Sequence, residues 1–134
     1  MAHSPADLHD DALEFLTVRH LATLTTMRPD GTPHVVPVGF TWDPGRNLAR
    51  IITSGSSQKV RYAAGGGPVA ICQVDGARWL TLEGTSSVSA DPDAVADAVA
   101  RYATRYRQPR VNPARVVVEV AVTRVLGSAT FFAP

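Results

Sequence analysis

Three short turn clusters separate the β-rich runs of this chain, and they limit its architecture more than any other feature. The clusters are Arg28-Pro29-Asp30-Gly31-Thr32-Pro33, Asp43-Pro44-Gly45-Arg46-Asn47 and Asp75-Gly76-Ala77-Arg78. Proline presets φ, glycine accepts positive φ and aspartate bonds its own backbone, so each cluster suits a tight reversal. A parallel strand pair needs a crossover of about a dozen residues or more. Connections this short commit the runs they join to antiparallel pairing and exclude a doubly wound parallel sheet.

The runs at 21–27, 34–42 and 48–53 are expected to form an antiparallel meander, and 69–74 and 79–88 a hairpin. In the last run, 115–123, Val116, Val118, Val120 and Val122 alternate with Val117, Glu119, Ala121 and Thr123, the period of a strand. Helices are expected at three places. Leu8, Ala12, Phe15 and Leu16 recur at helical spacing in a segment ending near Arg19 or His20, and a short helix covers 58–64. Asp91 followed by Pro92 starts a longer helix with a stripe of Ala94, Val95, Ala98, Val99, Tyr102 and Tyr106, and with Arg101, Arg105 and Arg107 towards its negative end. The expected fold is therefore mainly β: a single domain over 1–134, a six-stranded antiparallel barrel, closed or split, with flanking helices. Such a barrel encloses little volume. A large ligand is expected outside it or between two subunits.

A net charge of +1 and 45% hydrophobic residues point neither to disorder nor to nucleic acid. The single cysteine, Cys72, lies in an apolar run and reads as buried filler. With no long apolar span and no leader-like start, a soluble cytoplasmic protein is expected, away from nucleic acid and membrane. His3, His9, His20 and His34 show no ligand spacing, so no metal is expected.

Candidate site residues gather after the third run. Ser54-Gly55-Ser56-Ser57-Gln58-Lys59 leaves a strand and opens a helix, and it holds the only lysine beside twelve arginines. Free N–H groups next to a cation make a phosphate cradle, or else the serines cap the helix and Lys59 is a solvated charge. Pro37 and Gly39 interrupt a strand pattern, which marks an edge, a bulge, or a place where the backbone meets something other than a strand. Arg50 alternates with Leu48 and Ile52 and needs an anion if it points inward, which a phosphate would supply. Trp79 is either a core tryptophan or a pocket wall, and His34 reads as structural or surface.

The order of elements, with Ser57-Gln58-Lys59 after the third strand, resembles the flavin-binding split-barrel family of the pyridoxamine-phosphate oxidases and the deazaflavin-dependent reductases of actinobacteria. HLATLTT (20–26), TPHVVPVGFTWDP (32–44), ARIITSG (49–55), QVDGARWLTLEG (73–84) and RVLGSA (124–129) look like its branch of F420-dependent biliverdin reductases. The tail 124–134 lacks the Trp and Arg arrangement of the oxidases.

The resemblance implies a homodimer that binds coenzyme F420 and passes a hydride to a conjugated acceptor, biliverdin. The alternatives are an FMN enzyme of the oxidase type and a non-catalytic F420 carrier. The cofactor phosphate is expected at Ser57, Gln58 and Lys59 with Ile52, Thr53 and Arg50 behind them. The ring is expected along Val36, Pro37 and Val38, next to His34. Trp79 closes the pocket from the second subunit, with Arg78 at its mouth for the substrate's carboxylates. Arg61 and Arg124 are further candidates for carboxylate contacts. No side chain stands out as a catalytic acid.

Overall fold

The structure is a computed structural model that describes residues 3–132. Its strands are β1 (Ala22–Met27), β2 (Pro33–Val38), β3 (Thr41–Asp43), β4 (Leu48–Ser54), β5 (Pro68–Asp75), β6 (Arg78–Ser89) and β7 (Arg115–Gly127). The helices are α1 (Asp10–Phe15), α2 (Gln58–Ala63) and α3 (Pro92–Arg105). All strands pair antiparallel in one sheet of order β2-β1-β5-β6-β7-β4-β3. The sheet is not closed.

Seven strands replace the six expected, and the meander does not form. The run 34–42 breaks at Gly39-Phe40, which sends β2 and β3 to opposite edges of the sheet. The bonding of Phe40 gives the reason. Its N–H donates to the Tyr106 hydroxyl at 3.1 Å and its carbonyl accepts from Arg105 Nη1 at 2.7 Å, so side chains of and just after α3 take the bonds that a neighbouring strand would have supplied. Gly39 admits that helix. A Cβ there would lie 3.1 Å from the Tyr106 ring and 3.2 Å from the Tyr102 ring.

The expected turns form, with Gly31 and Gly76 at positive φ. At Glu83/Gly84 the β6–β7 register shifts through a bulge, where the Ala121 carbonyl oxygen would come within 1.9 Å of any Cβ on Gly84. Helix α3 starts as expected. The Asp91 carboxylate accepts the Ala94 N–H at 3.0 Å, with Pro92 in the first turn. α1 instead stops at Phe15, well short of His20.

Leu24, Phe40, Ile51, Ile71, Leu80, Leu82, Val118, Val120 and Val125 form the core on one side of the sheet together with Phe15 and Phe131. Val117, on the opposite face of β7, is equally buried because α3 packs across β4 and β7. Cys72 is half-buried and alternates with buried Ile71 and Gln73, which puts it on the outward face rather than in the core. Among the described residues no helix is long and apolar enough to cross a membrane.

Candidate functional site

β3 pairs only with Leu48, Ala49 and Arg50 of β4, which leaves the rest of β4 without a partner on that side. Across the resulting seam stands the end of β2, itself an edge strand. A cleft of about 290 Å³ opens there, lined by Pro37, Val38 and Gly39 on one wall and by Ile52, Thr53, Ser54 and Lys59 on the other. Tyr102 of α3 and Asn112 and Arg115, before and at the start of β7, complete it. Edge position explains how Pro37 is tolerated, since its missing N–H costs no central ladder bond.

The loop after β4 is built by its own hydroxyls. Ser57 caps α2 through an extended backbone, and its Oγ lies 3.3 Å from Thr53 Oγ1. With six residues α2 is too short for its dipole to carry much weight, so the field in the cleft comes from side-chain charge. Lys59 is half-buried in the first turn of α2. Arg115 is half-buried too and donates from Nη2 to the Arg110 carbonyl at 2.6 Å. Neither cation is ion-paired with a carboxylate among the described residues. Two unpaired cations beside hydroxyls and an amide make a place for a phosphate or carboxylate.

Behind Gly39 the Tyr102 and Tyr106 rings stack with centroids 4.7 Å apart. The Tyr106 hydroxyl donates to the His20 carbonyl at 2.7 Å, and burial pushes its pKa up. This end of α3 is therefore a fixed wall.

Of the residues expected from sequence, Pro37, Val38, Ile52, Thr53 and Lys59 meet at this cleft, and Ser57 stands at its rim through Thr53. Gln58 is exposed on α2, and Val36 packs against the core. His34 is half-buried against the Tyr62 ring, 5.1 Å between centroids, with its Nδ1 buried and unbonded. Arg50 is a correction. It is buried away from the cleft, and its anion is the carboxylate of Asp43 at 3.0 Å, with Asp97 and Glu119 nearby. Burial pushes the Asp43 carboxyl up, but the Arg50 hydrogen bond and the charges of Arg101 and Arg50 outweigh it and hold it below its ordinary value.

Arg78 and Trp79 also lie away from the cleft. Arg78 is exposed and paired with Asp75 at 3.3 Å. Trp79 is 40% exposed on the outward face, so it is not a core tryptophan. Neither lines the seam cleft of its own chain, and Arg78 lines a separate hollow with Phe15, Gln73 and Asp75. Sequence reasoning missed Tyr102, Asn112 and Arg115 as cleft residues. The one available signal was an arginine at the start of the last strand, which is too common to single out.

The family model described as pyridoxamine 5'-phosphate oxidase matches residues 8–129. The chain belongs to the pyridoxamine 5'-phosphate oxidase family. Over 129 residues it is 59% identical to a Mycobacterium tuberculosis biliverdin reductase that depends on reduced coenzyme F420, a match covering 96% of this chain and 94% of that protein. Among solved structures, an F420 reductase is similar at a TM-score of 0.69 and 28% identity, covering 84% of this chain and 94% of the other. A conserved hypothetical protein of Mycobacterium tuberculosis shares the fold at a TM-score of 0.76 and 21% identity, over 93% of this chain and 88% of the other.

Proposed function

We propose that this protein is an F420-dependent reductase of the FMN-binding split-barrel type, acting in the cytoplasm as a homodimer that reduces biliverdin to bilirubin. The observation that carries the reading is the seam cleft. A strand edge interrupted by Pro37 and Gly39 faces two unpaired cations, Lys59 and Arg115, in a chain that shares 59% of its residues with a biliverdin reductase dependent on that coenzyme. The cleft suits the parts of the cofactor. Lys59, Ser57 and Thr53 would hold its phosphate, Arg115 and Asn112 a further anionic group, and the exposed edge 37–39 the ring. When bound, a reduced deazaflavin supplies a hydride, whereas FMN can also pass single electrons.

The chain's own work is to bind, orient and exclude water. No aspartate, glutamate or histidine lines the cleft, so no proton donor is assigned to the protein. The Tyr102 and Tyr106 stack keeps the wall behind Gly39 rigid, which favours one ring position over several.

A cleft of about 290 Å³ open to solvent would leave part of a tricyclic ring with its phosphate and glutamyl tail uncovered, and walls from a second copy would enclose it. The outward face of β2-β1-β5-β6 suits that role. Val35 and Thr25 stand opposite each other in register, as do Val74 and Trp79, and Val35, Met27, Val74 and Trp79 are all exposed. An apolar sheet face of this kind is a natural subunit contact. Titration with F420 and with FMN tests the cofactor. Saturable F420 binding with weak FMN binding supports the proposal, and tight FMN with a flavin spectrum as purified would replace it with the oxidase-type enzyme.

A further inference from the structure

A second hollow, of about 220 Å³, lies between the end of α1, β3 and α3 and shares no lining residue with the cleft. Its walls are Leu16 and Thr17, Thr41 and Trp42, and Arg101, Thr104 and Arg105. No carboxylate lines it. Trp42 Nε1 and Thr41 Oγ1 are both buried without a hydrogen-bond partner, and Thr41 as a whole is only 8% exposed. An indole N–H can only donate, so what it lacks is an acceptor.

Arg105 adds a buried charge. It is 8% exposed, and its hydrogen bonds go to the carbonyls of Val18 and Phe40 and to Gln73 Oε1, all neutral. No carboxylate forms an ion pair with it among the described residues, and a guanidinium has five N–H groups to place. Arg101, 40% exposed, brings a second guanidinium, held by Asp97 at 3.0 Å and Asp43 at 3.6 Å.

We propose that this hollow is a binding site for a small oxyanion, a carboxylate or phosphate group, held by Arg101 and Arg105 with the Trp42 indole N–H and the Thr41 hydroxyl. An acceptor of negative charge answers both needs at once: the unpaired donors, and a guanidinium that has only neutral oxygens and the Phe40 and Tyr106 rings, 4.8 and 5.2 Å away, for partners. A bound water would serve the indole but not the charge.

Trp79→Phe leaves Trp42 as the only tryptophan, so its emission reports on the hollow. This protein is titrated with inorganic phosphate and with acetate, chloride holding ionic strength constant, and the comparison of the two distinguishes a phosphate from a carboxylate ligand. The expected result is a saturable emission change with at least one of them. Arg101→Gln should weaken that binding by about tenfold or more, and Lys59→Ala, in the other cleft, should leave it unchanged. Thr41→Val keeps the fluorophore and the fold of an edge strand, and it should weaken binding while raising the thermal midpoint of the anion-free protein. Absence of saturation with both anions, an equal response in Arg101→Gln and Thr41→Val, or loss of the response in Lys59→Ala would each overturn the proposal.

Discussion

Lys59 and Arg115 approach one cleft from segments that no local pattern connects, and their roles separate by substitution. Lys59→Ala should weaken F420 binding by about tenfold to a hundredfold, the value of a lost charge-assisted contact of roughly 1.5–3 kcal/mol, with the unfolding midpoint unchanged. Arg115→Gln should do the same. Titration of each variant with F420 checks this, and an affinity equal to the parent's would return that residue to the solvated surface. Tyr106 gives a pH dependence instead. Burial raises its pKa in the folded chain above the ordinary 10.0, so its contribution to stability is full below that value and is lost as pH rises through the folded pKa. Denaturant midpoints should therefore fall above about pH 10, and Tyr106→Phe should make that fall shallower. The position of Lys59 beside the cleft was legible in the sequence because loop chemistry is local. Arg50 was misread because its alternation said that it points away from solvent but could not say that Asp43, on the paired strand, supplies its anion.

Among the elements, the break between β2 and β3 creates the seam, and it was hidden from sequence for a specific reason. The hydrophobic alternation runs on through Gly39-Phe40, while the groups that capture this backbone, Arg105 and Tyr106, lie 65 and 66 residues further along. The turns, the Asp91 cap and the strand, loop and helix order at Lys59 were readable because each depends on adjacent residues. Two glycines test the packing of these elements. Gly84→Ala would drive a Cβ onto the Ala121 backbone at 1.9 Å, and a backbone cannot turn aside, so destabilisation of about 1–3 kcal/mol or more is expected in denaturant unfolding. Gly39→Ala meets only ring edges at 3.1 Å and beyond, and should cost less stability than Gly84→Ala while still weakening F420 binding by shifting Tyr102. A loss of stability at Gly39 exceeding that at Gly84 would contradict this ranking.

For the whole molecule, the proposed dimer would link assembly to catalysis through the outward sheet face. Val74→Glu places a charge beside Trp79 on this face, so sedimentation should show the proposed dimer shifted towards monomer and F420 affinity reduced with it. A monomer that keeps full affinity would remove the second copy from the site. Arg78→Gln addresses the substrate: if Arg78 and Trp79 reach the partner's cleft, KM for biliverdin should rise, more at low salt than at high, with little change in F420 affinity. The decisive measurement follows the electrons. Reduced F420 is mixed with biliverdin, and the recovery of oxidised F420 absorbance is followed with and without the protein. Oxidation that requires the protein and yields bilirubin in equal amount is the expected result. F420 that binds but stays reduced in the presence of biliverdin would contradict the reductase reading and leave a carrier.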